Sequence, residues 1–278
     1  MAVIAVVFDF DDTLVPDSTT ALLKSRGVDV DEFWSELVPP LVAAGYDPPL
    51  AYLRLILDRV GKDKALGDLT NRDLRDFGRS LDDQYFEGLP KMFEDLKELV
   101  SEFRDVAIEF YIVSGGLQEA IGGSRTVQKY VDGFYGCQLG EAEDGIVRYV
   151  KRCVTFTEKT RYLFEINKGV RIEDSRSKPH SVNNKVQDRR IPFSNMIYVG
   201  DGLTDIPCFS LVRNGGGYAF GVRARSKTAK QAFQELLQER RVDSLHSPDY
   251  REGSDLGALI RAAVSHLAAA RDLGREQA

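Results

Sequence analysis

The chain is poor in the residues that most often catalyse or crosslink. Its 278 residues include only three histidines and three cysteines. His180, His246 and His266 are scattered, so no Ser-His-Asp arrangement can be argued from them. Cys137, Cys153 and Cys208 are odd in number and lack the paired spacing of a zinc site, so they read as free structural thiols. No segment reaches the ~18–20 apolar residues that span a bilayer. The apolar start, Ala2 to Phe8, is too short for a signal-peptide core, has no basic leader and runs straight into Asp9, Asp11 and Asp12. The expectation is a cytoplasmic protein with no membrane partner. An excess of positive charge is missing too. Lys and Arg number 37 against 43 Asp and Glu, a formal net charge of -6. That disfavours a nucleic-acid partner, which calls for a basic face, and leaves room for a local basic pocket.

What is present is the composition of a globular protein, 43% hydrophobic and 29% charged. The length allows one large domain or a core with a smaller lobe. Three short apolar runs, rich in β-branched and aromatic residues, end abruptly in acidic or small residues. Val3 to Phe8 ends in Asp9-Phe10-Asp11-Asp12-Thr13. Val106 to Val113 ends in Ser114-Gly115-Gly116, and Met196 to Val199 ends in Gly200-Asp201-Gly202-Leu203-Thr204-Asp205. Near-continuous apolar runs suit strands buried on both faces of a parallel sheet. Helical spacing lies between them, at Met92, Phe93, Leu96, Leu99 and Val100, and at Tyr162, Leu163 and Ile166 after Lys159. The alternation predicts a doubly wound, mainly parallel α/β sheet.

A further strand is expected at Tyr218 to Val222, with helices at about 227–238 and 256–273. A hairpin turning at Asp144-Gly145 is expected within Gly136 to Val154. The polar stretch from Glu173 to Arg190 reads as a loop. From about Asp17 to Tyr85 the pattern is helical, without a convincing buried strand, and is punctuated by Pro39-Pro40 and Pro48-Pro49. The expected organisation is a core of residues 1–16 plus 86–278 with a helical lobe, 17–85, inserted between the first and second strands.

In an open parallel sheet, ligands bind at the carboxyl ends of the strands. All three acidic or small-residue endings lie there, which would bring Asp9, Asp11, Asp201 and Asp205 together. Each aspartate alone could be a helix cap on the surface; their convergence after three buried strands favours a site. Four carboxylates in one cleft need a cation or shifted pKa values to coexist. Oxygen donors without His or Cys point to Mg²⁺. Ser114-Gly115-Gly116, between a strand and an expected helix, offers a hydroxyl and backbone N–H groups to an anion, or else is an N-cap and a glycine turn. Lys159 stands at the start of its helix, where the dipole disfavours a cation, which suggests another task such as holding phosphate charge.

These residues resemble the haloacid dehalogenase-like superfamily of hydrolases. Phe8-Asp9-Phe10-Asp11-Asp12-Thr13-Leu14 fits its DxDx[TV] signature, Ser114 its second motif, Lys159 its third and Gly200-Asp201-Gly202-Leu203-Thr204-Asp205 its fourth. The helical insert resembles the cap of the phosphoserine-phosphatase-like branch, and Glu87-Gly88-Leu89-Pro90 resembles the linker back to the core. The resemblance implies a Mg²⁺-dependent phosphatase. Asp9 would be the nucleophile, forming an aspartyl-phosphate, and Asp11 the general acid and base. Asp9, the Asp11 carbonyl and Asp201 would hold Mg²⁺, with Asp205 supporting the metal site or Lys159. Ser114, the Gly115 N–H and Lys159 would bind the phosphoryl group.

The substrate would be a small phosphorylated metabolite, and the protein a monomer or homodimer. A phosphotransferase or phosphomutase of the same fold, or a non-catalytic phosphate-binding scaffold, are the alternatives. Three departures stand out. Pro16-Asp17-Ser18 offers an Asp where that branch reads its substrate with a Glu, Thr204 replaces its usual Asn, and the gap from Lys159 to Asp201 is long. The gap leaves Lys168 and Lys185 as alternatives for the third motif. Asp17, Trp34, Tyr46, Tyr52 and Arg54 are the candidate substrate contacts from the insert.

Overall fold

The computed structural model describes residues 1–223 and 241–276. Its strands are β1 (Ala2–Phe8), β2 (Val106–Leu117), β3 (Gly133–Glu141), β4 (Val147–Arg152), β5 (Met196–Gly200), β6 (Tyr218–Val222) and β7 (Ser244–His246). They form one sheet in the order β4-β3-β2-β1-β5-β6-β7. Every pairing is parallel except that of β3 with β4, the expected hairpin.

The central strand shows why its sequence is apolar throughout. Successive side chains point to opposite faces. Val3, Ala5 and Val7 join a core with Leu163, Ile166 and Phe209. Ile4, Val6 and Phe8 join another with Met92, Phe93, Ile260 and Val264. Two helical layers therefore cover the sheet. The first includes α9 (Phe156–Lys168) and α11 (Ile206–Asn214); the second includes α6 (Lys91–Ser101) and α12 (Asp255–Glu276). Three shorter helices, α7 (Gln118–Gly123), α8 (Arg125–Tyr130) and α10 (Ile172–Ser177), complete the set outside the insert among the described residues.

Between β1 and β2 the chain runs through α1 (Ser18–Ser25), α2 (Val30–Glu32), a π turn at Phe33–Leu37, α3 (Val38–Ala43), α4 (Pro48–Asp58) and α5 (Asn71–Ser80). Local signals start these helices. The Asp17 carboxylate caps α1 by accepting from the Thr20 N–H, and Thr70 with Asp73 forms a capping box on α5. Proline opens α4. The insert leaves and returns at one place, where the Phe86 N–H donates to the Leu14 carbonyl at 3.0 Å. Its α5 end is seated on the core. A Cβ on Gly78 would lie 2.0 Å from the Ala120 carbonyl oxygen, and one on Gly123 would lie 2.1 Å from that of Arg75.

Four sequence expectations need comment. The second strand continues past Val113 to Leu117, with a register shift between those residues. The stretch read as a loop, 173–190, holds most of α10 and a 3-10 turn at Pro179–Asn183. Strand β7 was not expected. The helix expected at 227–238 lies outside the described residues. Among the described residues, no helix is long and apolar enough to cross a membrane.

Candidate active site

Parallel pairing sends β1, β2 and β5 toward the same edge, and the side chains in question collect there. Asp9 follows β1 directly, its N–H donating to the Val199 carbonyl at 2.9 Å, so the chain stays beside β5 for one further residue. One carboxylate oxygen of Asp9 accepts from the Phe10 N–H at 2.7 Å and the other from Lys159 Nζ at 2.8 Å. Lys159, in the first turn of α9, is 1% exposed, and its Nζ also donates to Asp205 at 2.7 Å. Asp205 further accepts from the Tyr198 hydroxyl at 2.6 Å and the Gly202 N–H at 3.0 Å. A fully buried charge is tolerated only when paired and hydrogen-bonded, and this lysine is both.

Asp11 stands at the edge of the same cavity. One of its oxygens accepts from the Ser18 N–H at 2.8 Å, which ties it to the start of α1. The other would lie 2.5 Å from a Cβ on residue 116, so only glycine leaves room for that carboxylate. Ser114 is buried, and its hydroxyl oxygen accepts from the Gly116 N–H at 3.0 Å. Here the sequence reading needs correcting. Ser114-Gly115-Gly116 is not the start of a helix but an irregular extension of β2; α7 begins only at Gln118.

Among the described residues, the electrostatics are those of crowded carboxyls around the Lys159 ammonium. Burial pushes Asp9 up to about 6 against the pull of Lys159, with Asp205 adding to the rise. Burial and the nearby Asp17 carboxylate push Asp11 up to about 8, opposed by the Ser18 hydrogen bond. Asp201 is driven well above the usual carboxylate range by burial and then by Asp9 and Asp205. Burial works against the charge of Lys159, yet Asp205 and Asp9 outweigh it and hold its pKa above the ordinary lysine value.

Asp9, Asp201 and Asp205 each offer an oxygen within 4.8 Å of the others. Asp205 is already committed to Lys159, Tyr198 and Gly202, whereas no hydrogen bond is found to the Asp201 carboxylate among the described residues. The donors are all hard oxygens and their ionised forms repel one another. A divalent hard cation such as Mg²⁺ fits that set.

A cavity of about 270 Å³ joins these groups, lined by Asp9, Asp11, Asp201, Ser114 and Gly115 and by residues of the insert. Asp17, Trp34 and Tyr52 reach it; Tyr46 and Arg54 do not. Arg54 instead binds the Tyr46 hydroxyl and pairs with Asp58 on the surface. The alternatives for the third motif do not reach it either. Lys168 donates to the carbonyls of Val182 and Asn184, and Lys185 is exposed. Asp17 lines the cavity while spending both oxygens on Thr20. Sequence reasoning missed Tyr198, which inside a buried strand reads as plain core. It also missed the Tyr52 hydroxyl, which donates to the Gly115 carbonyl and joins the insert to the β2 extension.

No family model matches the chain. An uncharacterized protein of Borreliella burgdorferi is 29% identical over 277 residues, covering 91% of this chain and 94% of its own length. Among solved structures, a probable phosphoserine phosphatase from Vibrio cholerae aligns with a TM-score of 0.57 at 16% identity, over 98% of this chain and 67% of that one. A haloacid dehalogenase family hydrolase from Salmonella enterica serovar Typhi aligns at 0.56 and 15% identity, over 84% of this chain and 69% of the other. At such identities the likeness speaks to architecture. The chain has the haloacid dehalogenase-like fold in its phosphoserine-phosphatase-like form.

Proposed function

We propose that this protein is a Mg²⁺-dependent phosphomonoester hydrolase that uses Asp9 as nucleophile on a small phosphorylated metabolite. The observation that carries the reading is the buried Asp9–Lys159–Asp205 array opening into a cavity shared with Ser114 and Asp11. The Phe10 N–H and Lys159 hold the Asp9 carboxylate in one orientation, as a nucleophile requires. Its oxygen bonds to phosphorus while the ester oxygen leaves, giving an aspartyl-phosphate. Asp11, pushed up to about 8, keeps a proton at neutral pH and delivers it to the leaving alcohol. Deprotonated by that step, Asp11 then takes a proton from water. The water oxygen attacks phosphorus and frees Asp9 and inorganic phosphate.

The Ser114 hydroxyl and the Gly115 N–H bind phosphoryl oxygens, and Lys159 lowers the charge on Asp9. Asp9, the Asp11 backbone carbonyl and Asp201 are the donors for Mg²⁺, which when bound supplies neutralisation of phosphate and carboxylate charge. Asp205 positions Lys159. Residues 17–85 serve as a cap over the core of 1–16 plus 86–278, and the protein acts alone or as a homodimer.

The test is release of inorganic phosphate from p-nitrophenyl phosphate and a panel of phosphorylated metabolites, with Mg²⁺ or EDTA, by wild type and Asp9→Asn. Turnover that requires Mg²⁺ and disappears in the variant is expected. Equal turnover in a folded Asp9→Asn protein would rule out this nucleophile. Folded wild-type protein that is inert across the panel would sink the hydrolase reading.

A further inference from the structure

The wall that the insert gives the cavity carries chemistry of its own. It consists of Thr19, Trp34, Val38, Pro48, Pro49 and Tyr52, with Asp17 beside them. Its aromatic part is fixed. Trp34 Nε1 donates to the Thr20 hydroxyl oxygen at 2.7 Å, and Thr20 donates in turn to Asp17. The indole packs edge-on against Phe33 at 5.0 Å and tilted against Tyr52 at 5.8 Å. Tyr52 is anchored to the Gly115 carbonyl, next to the proposed phosphate-binding groups.

The wall has no cation. Residues 17–85 are all described, and none of their lysines or arginines lines the cavity. Arg54 turns to Tyr46 and Asp58, Arg59 to the Leu55 carbonyl and the Phe33 ring, and Lys64 to the Asp58 carbonyl. Lys159 donates to Asp9 and Asp205 and does not line the cavity. A carboxylate on the departing alcohol would meet aromatic rings, prolines and Asp17. It would lose its hydration and gain no counter-charge from the described residues that line the cavity. A carbon surface gains from the same wall by apolar burial and ring contact, and a cationic group gains from the Asp17 carboxylate beside it.

We infer that the alcohol portion of the substrate is small, carries no negative charge and seats a carbon surface on Trp34 and Tyr52. The inference rests on the phosphatase reading and narrows it. Phosphorylated amino acids and hydroxy acids with a free carboxylate fall outside the class, and monophosphates of neutral or cationic alcohols fall within it.

The test compares kcat/KM for phosphate release by full-length protein with Mg²⁺. Phenyl phosphate and phosphocholine form one pair, phosphoserine and phosphoglycolate the other. The better of the first pair should exceed the better of the second by tenfold or more. A smaller ratio overturns the inference and leaves the phosphatase reading standing. No turnover of any of the four by folded protein overturns both. Val38→Arg, or Pro48→Arg if the first does not fold, puts a guanidinium into the wall and should narrow the ratio at least tenfold by improving the carboxylated pair. An unchanged ratio in a variant that melts like wild type overturns the proposed seat.

Discussion

Lys159→Met removes the one buried cation between two buried carboxylates and tests the centre of the site without any substrate. The lysine is 1% exposed and holds Asp9 at 2.8 Å and Asp205 at 2.7 Å. Removing one partner of a buried ion pair costs about 3–5 kcal/mol, because the remaining charge keeps its desolvation penalty and loses its compensation. Here two carboxylates are left facing each other, so one of them must take up a proton. The cost therefore depends on pH, with a definite sign. A carboxyl raised in the folded state contributes full stability below its unfolded pKa near 4 and loses it as pH rises through the folded value. Asp9 is already pushed up to about 6 with the lysine present, and without it the rise is larger. Urea unfolding in EDTA should show a loss of about 3–5 kcal/mol relative to wild type at pH 8, and a smaller loss at pH 5. The double variant Lys159→Met/Asp205→Asn should recover at least ~1 kcal/mol of the pH 8 loss. A single-variant loss below ~1 kcal/mol at pH 8, or one equal at both pH values, would refute the reasoning.

Mg²⁺ at a hundredfold its dissociation constant stabilises a folded protein by about 2.7 kcal/mol. The melting temperature should accordingly rise by roughly 5 °C or more. Asp201→Asn should remove most of that shift, and an undiminished shift would place the ion elsewhere. Gly116→Ala sets a Cβ 2.5 Å from an Asp11 oxygen. Its kcat for p-nitrophenyl phosphate should fall at least about tenfold; normal kcat would mean that Asp11 is not the acid. Gly78→Val forces a side chain against the Ala120 carbonyl oxygen, 2.0 Å from its Cβ. The overpacking should cost about 1–3 kcal/mol in urea unfolding, and a neutral result would mean that α5 is not seated on α7.

The parts of this architecture that were legible in the sequence are those written as buried periodicity. Strand β1 is an unbroken apolar run because both its faces are covered, and β5 and β6 end where their apolar runs end. Convergence of Asp9, Ser114, Asp201 and Asp205 then follows from topology, since parallel strands bring their carboxyl ends to one edge; Lys159 joins them from α9, which follows the antiparallel β4. The rest carried no such signal. Strand β7 has three half-buried residues and no apolar run. Helix α10 buries only Ser175, so it has no apolar stripe to read. The Ser114-Gly115-Gly116 extension looked like a turn because glycine permits one; in its extended form the space beside Gly116 is filled by Asp11, a contact between residues far apart in sequence.

The same contacts decide how firmly the insert is held. Its α5 end interlocks with α7 backbone to backbone at Gly78 and Gly123, and the Val147 N–H donates to the Leu69 carbonyl at 2.9 Å just before α5. Opening there would separate surfaces packed too closely for any side chain. The α1 and α4 portions make polar contacts at the site, Ser18 N–H to Asp11 and Tyr52 hydroxyl to the Gly115 carbonyl, and their Leu22, Leu23, Leu53 and Ile56 share a buried core with Val113 and Leu139 of the sheet. Each such hydrogen bond contributes about 0.5–1.5 kcal/mol net, more where the acceptor is charged, and burial of each of those apolar side chains adds about 1.5–3 kcal/mol. Residues 18–58 carry Trp34 and Tyr52, so the wall that seats the alcohol is held by packing on the sheet as well as by polar contacts.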